Sequence, residues 1–224
     1  MKGNRQRQSK SVRGSMIRRS TFREIRGSMG RYLAILSIIA LGVGFFTGLK
    51  ITKPEMMATI NEFVKEKNFY DFRLLSTLGF EQADVEAFQQ EPDVRYAEGT
   101  YNFDALYSGI GENEVVLKTM SLPEHVNGIN LVSGRMPAQE DECVVDVKMS
   151  NVSIGDQITL TDMNETDTLD AFKQKTFTVV GMVQSSYYMN FERGTTSLGN
   201  GKVSGFVYME PEVFDCDYYK DVFV

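Results

Sequence analysis

Hydrophobic positions form one unbroken run in this chain and recur at helical or strand spacing elsewhere. Residues 32–49, YLAILSIIALGVGFFTGL, hold eighteen positions without a charge, closed by Arg31 and Lys50. At about 1.5 Å per residue such a helix is roughly 27 Å long, close to the hydrocarbon thickness of a bilayer. A core helix of a soluble domain keeps a polar face, and this run has none, so residues 32–50 are expected to cross a membrane. The segment before the run is too long for a signal peptide, and no A-x-A pattern follows Phe46.

On the N-terminal side, residues 1–20 are polar, basic and aperiodic, and read as a tail. Thr21 and Glu24 have capping-box spacing, and Phe22, Ile25 and Met29 then share a face. Residues 21–31 therefore predict an amphipathic helix lying on the membrane surface, its arginines at the headgroups. Past the run, residues 51–224 are expected to form a separate domain. A helix is expected to restart around Thr52–Pro54, with Met57, Ile60 and Val64 at helical spacing. Residues 69–76 have strand composition. Residues 81–90 predict a short helix with Val85 and Phe88 inward, ending before Pro92. Residues 94–107 suggest a strand or hairpin half. Strands follow at 114–120, 142–147, 157–161, 176–184 and 203–209, and a further one begins at Phe223-Val224. Turn signals fall at Gly134 with Pro137, at Gly155-Asp156 and over 194–201, and residues 163–170 read as a polar loop. Helices come early and strands late, so the class is α+β.

Charge gives the orientation. Residues 1–31 hold ten Lys or Arg and one Glu, a net +9. The whole chain is −6, which leaves −15 beyond residue 31. Basic flanks stay in the cytoplasm, so the N-terminus is expected inside and residues 51–224 outside. A basic tail beside a membrane span faces anionic lipid first, so membrane lipid is the expected partner and nucleic acid is not. Within the run, Ala40, Gly44 and Gly48 fall four apart on one face, where small residues admit a second helix.

Candidate chemistry is sparse. His125, in a polar loop, is the only histidine, and the two cysteines, Cys143 and Cys216, are unclustered, so no metal site is expected. Cys143 lies in the apolar run ECVVDV, which favours a buried free thiol. No G-x-S-x-G, H-E-x-x-H or C-x-x-C occurs. The glycines of GTTSLGNG lack the Walker lysine and serve better as a turn. The sequence therefore offers neither catalytic residues nor a cofactor site, and no ATPase motif.

Several blocks together resemble one family. FREIRGSMGRYLAILSIIALGVGFFTGLK is similar to the first membrane helix of FtsX-like, MacB-related ABC transporter permeases. LVSGRMPAQEDECVVDV, VSIGDQITL and FTVVGMVQS are similar to the extracytoplasmic core domain that follows it. The matching residues are Gly134, Arg135, Pro137, Glu142, Gly155, Asp156, Val180 and Gly181, and the resemblance covers about residues 20–224. It implies a non-enzymatic permease subunit in a bacterial cytoplasmic membrane, working with a separate ABC ATPase. It also implies further permease helices or a second permease copy, and a peptide, lipid or drug as substrate. Such permeases carry more helices after this domain, so the chain is expected to be an N-terminal part, truncated within the domain. The rival reading is a complete single-pass protein whose outer domain senses or binds a ligand.

Overall fold

The structure is a computed structural model and describes residues 20–24, 26–111 and 113–224. The tail 1–19 and Ile25 lie outside the described residues. The chain divides into two units, Met1–Asn61 and Glu62–Val224.

Residues 20–24 are helical, and Ser28 forms a turn before the long helix α1, Met29–Glu66, most of which lies in the first unit. The expected restart at Thr52–Pro54 does not occur, because α1 runs through Pro54 unbroken. One proline removes a single i→i−4 hydrogen bond and leaves the helical φ intact. On either side of it Thr52 Oγ1 donates to the Gly48 carbonyl (2.8 Å) and Thr59 Oγ1 to that of Glu55 (3.0 Å). No residue of α1 is buried, and the helix is long and apolar enough to cross a membrane.

The second unit holds ten strands. β1 (Arg73–Phe80) and β2 (Glu98–Thr100) flank β10 (Tyr219–Phe223) in an antiparallel three-stranded sheet. Between β1 and β2 lies α2 (Gln82–Gln89), started by a capping box in which Asp84 accepts the Glu81 N–H at 2.9 Å. Val85 is buried, and Phe88 packs edge-on against Phe80. Strand β1 begins four residues later than expected. Asn68 takes positive φ (45°) and Phe69 stacks on Tyr70, so regular pairing starts only where Arg73 meets Phe223.

The larger sheet contains β3 (Asn102–Ser108), β4 (Val115–Ser121), β5 (Ile129–Gly134), β6 (Glu142–Asp146), β7 (Gln157–Leu160), β8 (Thr176–Ser185) and β9 (Gly205–Met209). The order is β5-β8-β6-β9-β4-β3-β7, and β7 also pairs with β8, closing six strands into a barrel with β5 added outside. Parallel pairs β4–β9 and β6–β8 make the sheet mixed. Alternation sorts the side chains: Cys143, Val145, Phe177, Val179, Val207 and Met209 fill the interior. Val144, Val183, Phe206 and Tyr208 point the other way, under Tyr187 and Tyr188. Val180 is the extra residue of a bulge between Cys143↔Val179 and Val144↔Gly181. It shifts the inward parity of β8 from Phe177 and Val179 to Met182.

Two elements escape the sequence pattern. β5 has five exposed residues out of six, so it shows no buried alternation. The loop 163–170 contains a short helix α3 (Thr166–Asp170), and Asn164 is buried, bonding the Leu106 N–H (2.7 Å) and carbonyl (2.8 Å).

Candidate functional site

The residues singled out around the turns meet at one place on β8. Gly134 ends β5 at φ +80°, where a Cβ would strike the Val180 carbonyl oxygen and lie 2.7 Å from the Gly181 Cα. At Gly181 a Cβ would strike the Arg135 carbonyl oxygen, so both glycines are there for close backbone approach. The Arg135 N–H donates to the Val180 carbonyl at 3.0 Å, which fixes β5 to the bulge. Gly155, at φ +98°, donates to the Val179 carbonyl (2.8 Å), and the Asp156 carbonyl accepts from Val179 (2.9 Å). The Asp156 carboxylate accepts the Ser153 N–H at 2.8 Å, closing that turn. Pro137 is buried in the β5–β6 connection.

Across this node Arg135 grips Glu142 with both guanidinium ends; Nη1–Oε2 is 2.6 Å, and Nη2 contacts Oε1. Glu142 Oε2 also accepts the Ala138 N–H at 2.9 Å. The Arg135 hydrogen bond, then that N–H, hold the Glu142 carboxyl at about 2, below its ordinary 4.5. A carboxylate so fully bonded is not a proton-transfer group, so this arrangement organises the fold. Since the folded value is depressed, its contribution to stability is full above about 4.5 and is lost as pH falls toward about 2. Thermal melts of Glu142→Gln against the wild type should therefore show a gap that is constant from pH 7 to 5. The gap should close between pH 4.5 and 2; a gap independent of pH down to 2 would mean that Arg135 does not hold the charge.

A recess of about 490 Å³ opens where the second unit begins. Phe69, Tyr70, Val94 and Val126 line it, together with four ionic side chains, Lys65, Asp71, Asp93 and Arg95. Arg95 and Tyr96 also border a second, more polar hollow of about 460 Å³ that contains His125. The strap carrying them is tightly held. Gln89 clasps it from α2, its amide donating to the Arg95 carbonyl (3.0 Å) and its oxygen accepting the Ala97 N–H (2.7 Å). The Glu98 carboxylate accepts the N–H groups of Glu124, His125 and Val126 at 2.7, 2.9 and 2.8 Å. His125, placed by the sequence in a polar loop, stacks on Tyr96 with ring centroids 4.9 Å apart. A loop sequence gives no sign of a ring some thirty residues away.

Sequence reasoning also missed two ion pairs. Arg193 and Asp146 are both buried and joined by Nε–Oδ2 (2.6 Å) and Nη2–Oδ1 (3.1 Å) bonds. Arg73 reaches both oxygens of the buried Asp221 at 3.1 and 2.9 Å. Their partners are 47 and 148 residues apart, beyond any local pattern. Cys143 is buried and free, and burial pushes its thiol up, so it is unreactive; Cys216 is also free. Among the described residues no three His, Cys, Asp or Glu side chains gather as a metal site. In α1, apart from the local helix backbone and sequence neighbours, no atom lies within 4 Å of a Cβ at Gly44 or Gly48.

No family model and no curated protein matches the sequence. The chain is similar to three solved structures. One is the extracellular domain of the noncanonic ABC-type transporter YknZ from Gram-positive bacteria. It is 12% identical, with 70% of this chain and 80% of that one covered and a TM-score of 0.42. Another is the periplasmic region of MacB from Actinobacillus actinomycetemcomitans, 9% identical, covering 67% and 65%, TM-score 0.37. The third is a domain of a Porphyromonas gingivalis protein described as a permease, 14% identical, covering 65% and 62%, TM-score 0.38. The chain spans less than two thirds of the last two.

Proposed function

We propose that this chain is the membrane-spanning permease subunit of an ABC transporter, its second unit facing outward to engage a substrate while a separate ATPase hydrolyses ATP. The observation that carries the reading is the charge-free run 32–49 of a long apolar helix with +9 over residues 1–31, followed by a domain built on the blocks that resemble such permeases. Those blocks, distant in sequence, interlock as one node: Gly134-Arg135, Glu142, Gly155-Asp156 and Val180-Gly181. The open face of Ala40, Gly44 and Gly48 is then where a further permease helix packs.

Topology tests the reading. With Cys143 and Cys216 replaced, a cysteine at Met163 should react with an impermeant thiol reagent on intact cells, and one at Ser11 should not. Met163 is 72% exposed, whereas the neighbouring Asn164 is buried and pins its loop, so only the former reports accessibility cleanly. Labelling at Ser11 would overturn the orientation. Co-purification with an ABC ATPase separates the permease from a single-pass ligand sensor.

A further inference from the structure

We propose that the side chains of Lys67 and Asn130 condense into an intramolecular isopeptide bond, with Glu66 carrying the proton. The arrangement starts from the way α1 ends. The Phe69 N–H donates to the Val64 carbonyl (2.9 Å) and the Asn68 N–H to that of Lys65 (3.4 Å). That is a Schellman ending, with Asn68 as its left-handed residue at φ 45°. Lys67 sits just before the reversal, so its backbone is fixed. The same stretch then clasps the approach to β5. The Gly128 N–H donates to the Lys67 carbonyl (2.9 Å) and the Asn127 N–H to that of Asn68 (3.0 Å). The Tyr70 N–H reaches the Asn127 side-chain oxygen (3.4 Å). Two segments 63 residues apart are thus held face to face, both within the second unit.

Across this clasp Lys67 Nζ lies 2.6 Å from Asn130 Oδ1 and 3.0 Å from Glu66 Oε1. The Asn130 carbonyl carbon is one C=O bond, about 1.2 Å, beyond its oxygen, so Nζ stands within about 3.8 Å of it. Among the described residues, Lys118 and Lys175 each meet a carboxylate without an amide, and Lys67 meets both. The Lys67 side chain is only 14% exposed, whereas Glu66 is 66% exposed and Asn130 faces solvent. The amine is drawn out of water while its base and its leaving group reach it. Glu66 takes one proton from the ammonium, and the freed amine attacks Cγ of Asn130. Glu66 then protonates Nδ2 and accepts a proton from the attacking nitrogen. The Cγ–Nδ2 bond breaks and ammonia leaves, taking the proton that remains on Glu66 to become ammonium. One C–N bond forms and one breaks, so no oxidant or reductant enters. The clasp supplies the proximity that so slow an exchange needs, and Glu66 is within the reach of a general base. The product fastens the end of α1 to β5, the strand that lies outside the barrel with five of its six residues exposed.

The full chain, purified in detergent and incubated at neutral pH, is followed by intact mass and by tryptic mapping. The wild type should become lighter by the mass of one ammonia molecule. Trypsin should then fail to cut after Lys67 and should release a branched peptide joining Lys67 to Asn130. Lys67→Arg and Asn130→Ala should keep their full mass. The linked wild type should melt on the order of 10 °C above Lys67→Arg, because the link closes a long loop in the unfolded chain. Glu66→Gln should fold and should form the link slower by roughly a hundredfold or more. A wild type that stays at full mass, with normal cleavage after Lys67, overturns the proposal. So does a loss of ammonia without a branched peptide, which would be ring closure within one segment, as at Asn127-Gly128 or Asn200-Gly201. A Glu66→Gln variant that links as fast as the wild type overturns it too. Topology and capture of an ATPase test the permease reading separately, and none of these outcomes bears on them.

Discussion

Replacing Arg193 by alanine is expected to lower the melting temperature of the second unit by on the order of 10 °C, from a loss of about 3–5 kcal/mol. The side chains of Arg193 and Asp146 are only 6% and 1% exposed, so truncating the arginine strands a carboxylate that water cannot reach. Asp146 would keep one donor, the Lys148 N–H at 3.0 Å. The arginine also packs: its guanidinium lies 5.1 Å from the Tyr188 ring centroid and 5.3 Å from that of Phe206, and those rings stack within 1° of parallel. Its Nη1 donates to the Asn190 carbonyl at 2.7 Å, so the connection from β8 toward β9 is tied to β6 through this one residue.

The apolar double variant Asp146→Leu with Arg193→Met should recover much of that loss, because it removes the stranded charge instead of one partner. The melt should be followed by near-ultraviolet tyrosine dichroism, which the ten tyrosines supply and to which α1 contributes little. A single variant melting within about 2 °C of the wild type would show that the pair is not what pins the connection.

What the sequence reveals and conceals follows from the range of each interaction. β6, β7, β8 and β9 carry dense apolar runs because both faces are covered, and their limits were legible to within two residues. The αβ order, Val85 facing inward and the turn at Gly155 were legible for the same local reasons. β5 was not, since a strand stacked on the outside of a barrel keeps an exposed face and loses its alternation. The continuity of α1 through Pro54 was hidden because proline is a start signal and a tolerated interior residue alike. At the recess the residues lie in four separate stretches, 64–72, 93–96, 126 and 224, none of which carries a motif.

Val179→Asp is expected to abolish the cooperative melt altogether, leaving a chain that keeps the far-ultraviolet signal of α1 and loses its tyrosine signal. Val179 has no exposed surface and points into the barrel beside Phe177, Cys143 and Val145, where no cation is buried to meet a carboxylate. An isolated ionised carboxylate there costs more than the ~5–15 kcal/mol that holds a typical domain together, and a protonated one still leaves unpaired polar atoms. The backbone at that position is committed as well. The Val179 N–H donates to the Asp156 carbonyl, and its own carbonyl accepts from Gly155, so the strand cannot turn the side chain outward without breaking the node. A shift of one residue is blocked for the same reason, since it would displace the bulge at Val180. Val179→Ala, which leaves only a cavity, should cost about 2 kcal/mol and keep a cooperative transition. His125→Ala should cost about 1 kcal/mol at most, the value of one stacked pair with Tyr96. If Val179→Asp melts cooperatively within a few degrees of Val179→Ala, the barrel interior is not the core that the alternation of β6, β8 and β9 assigns it to be.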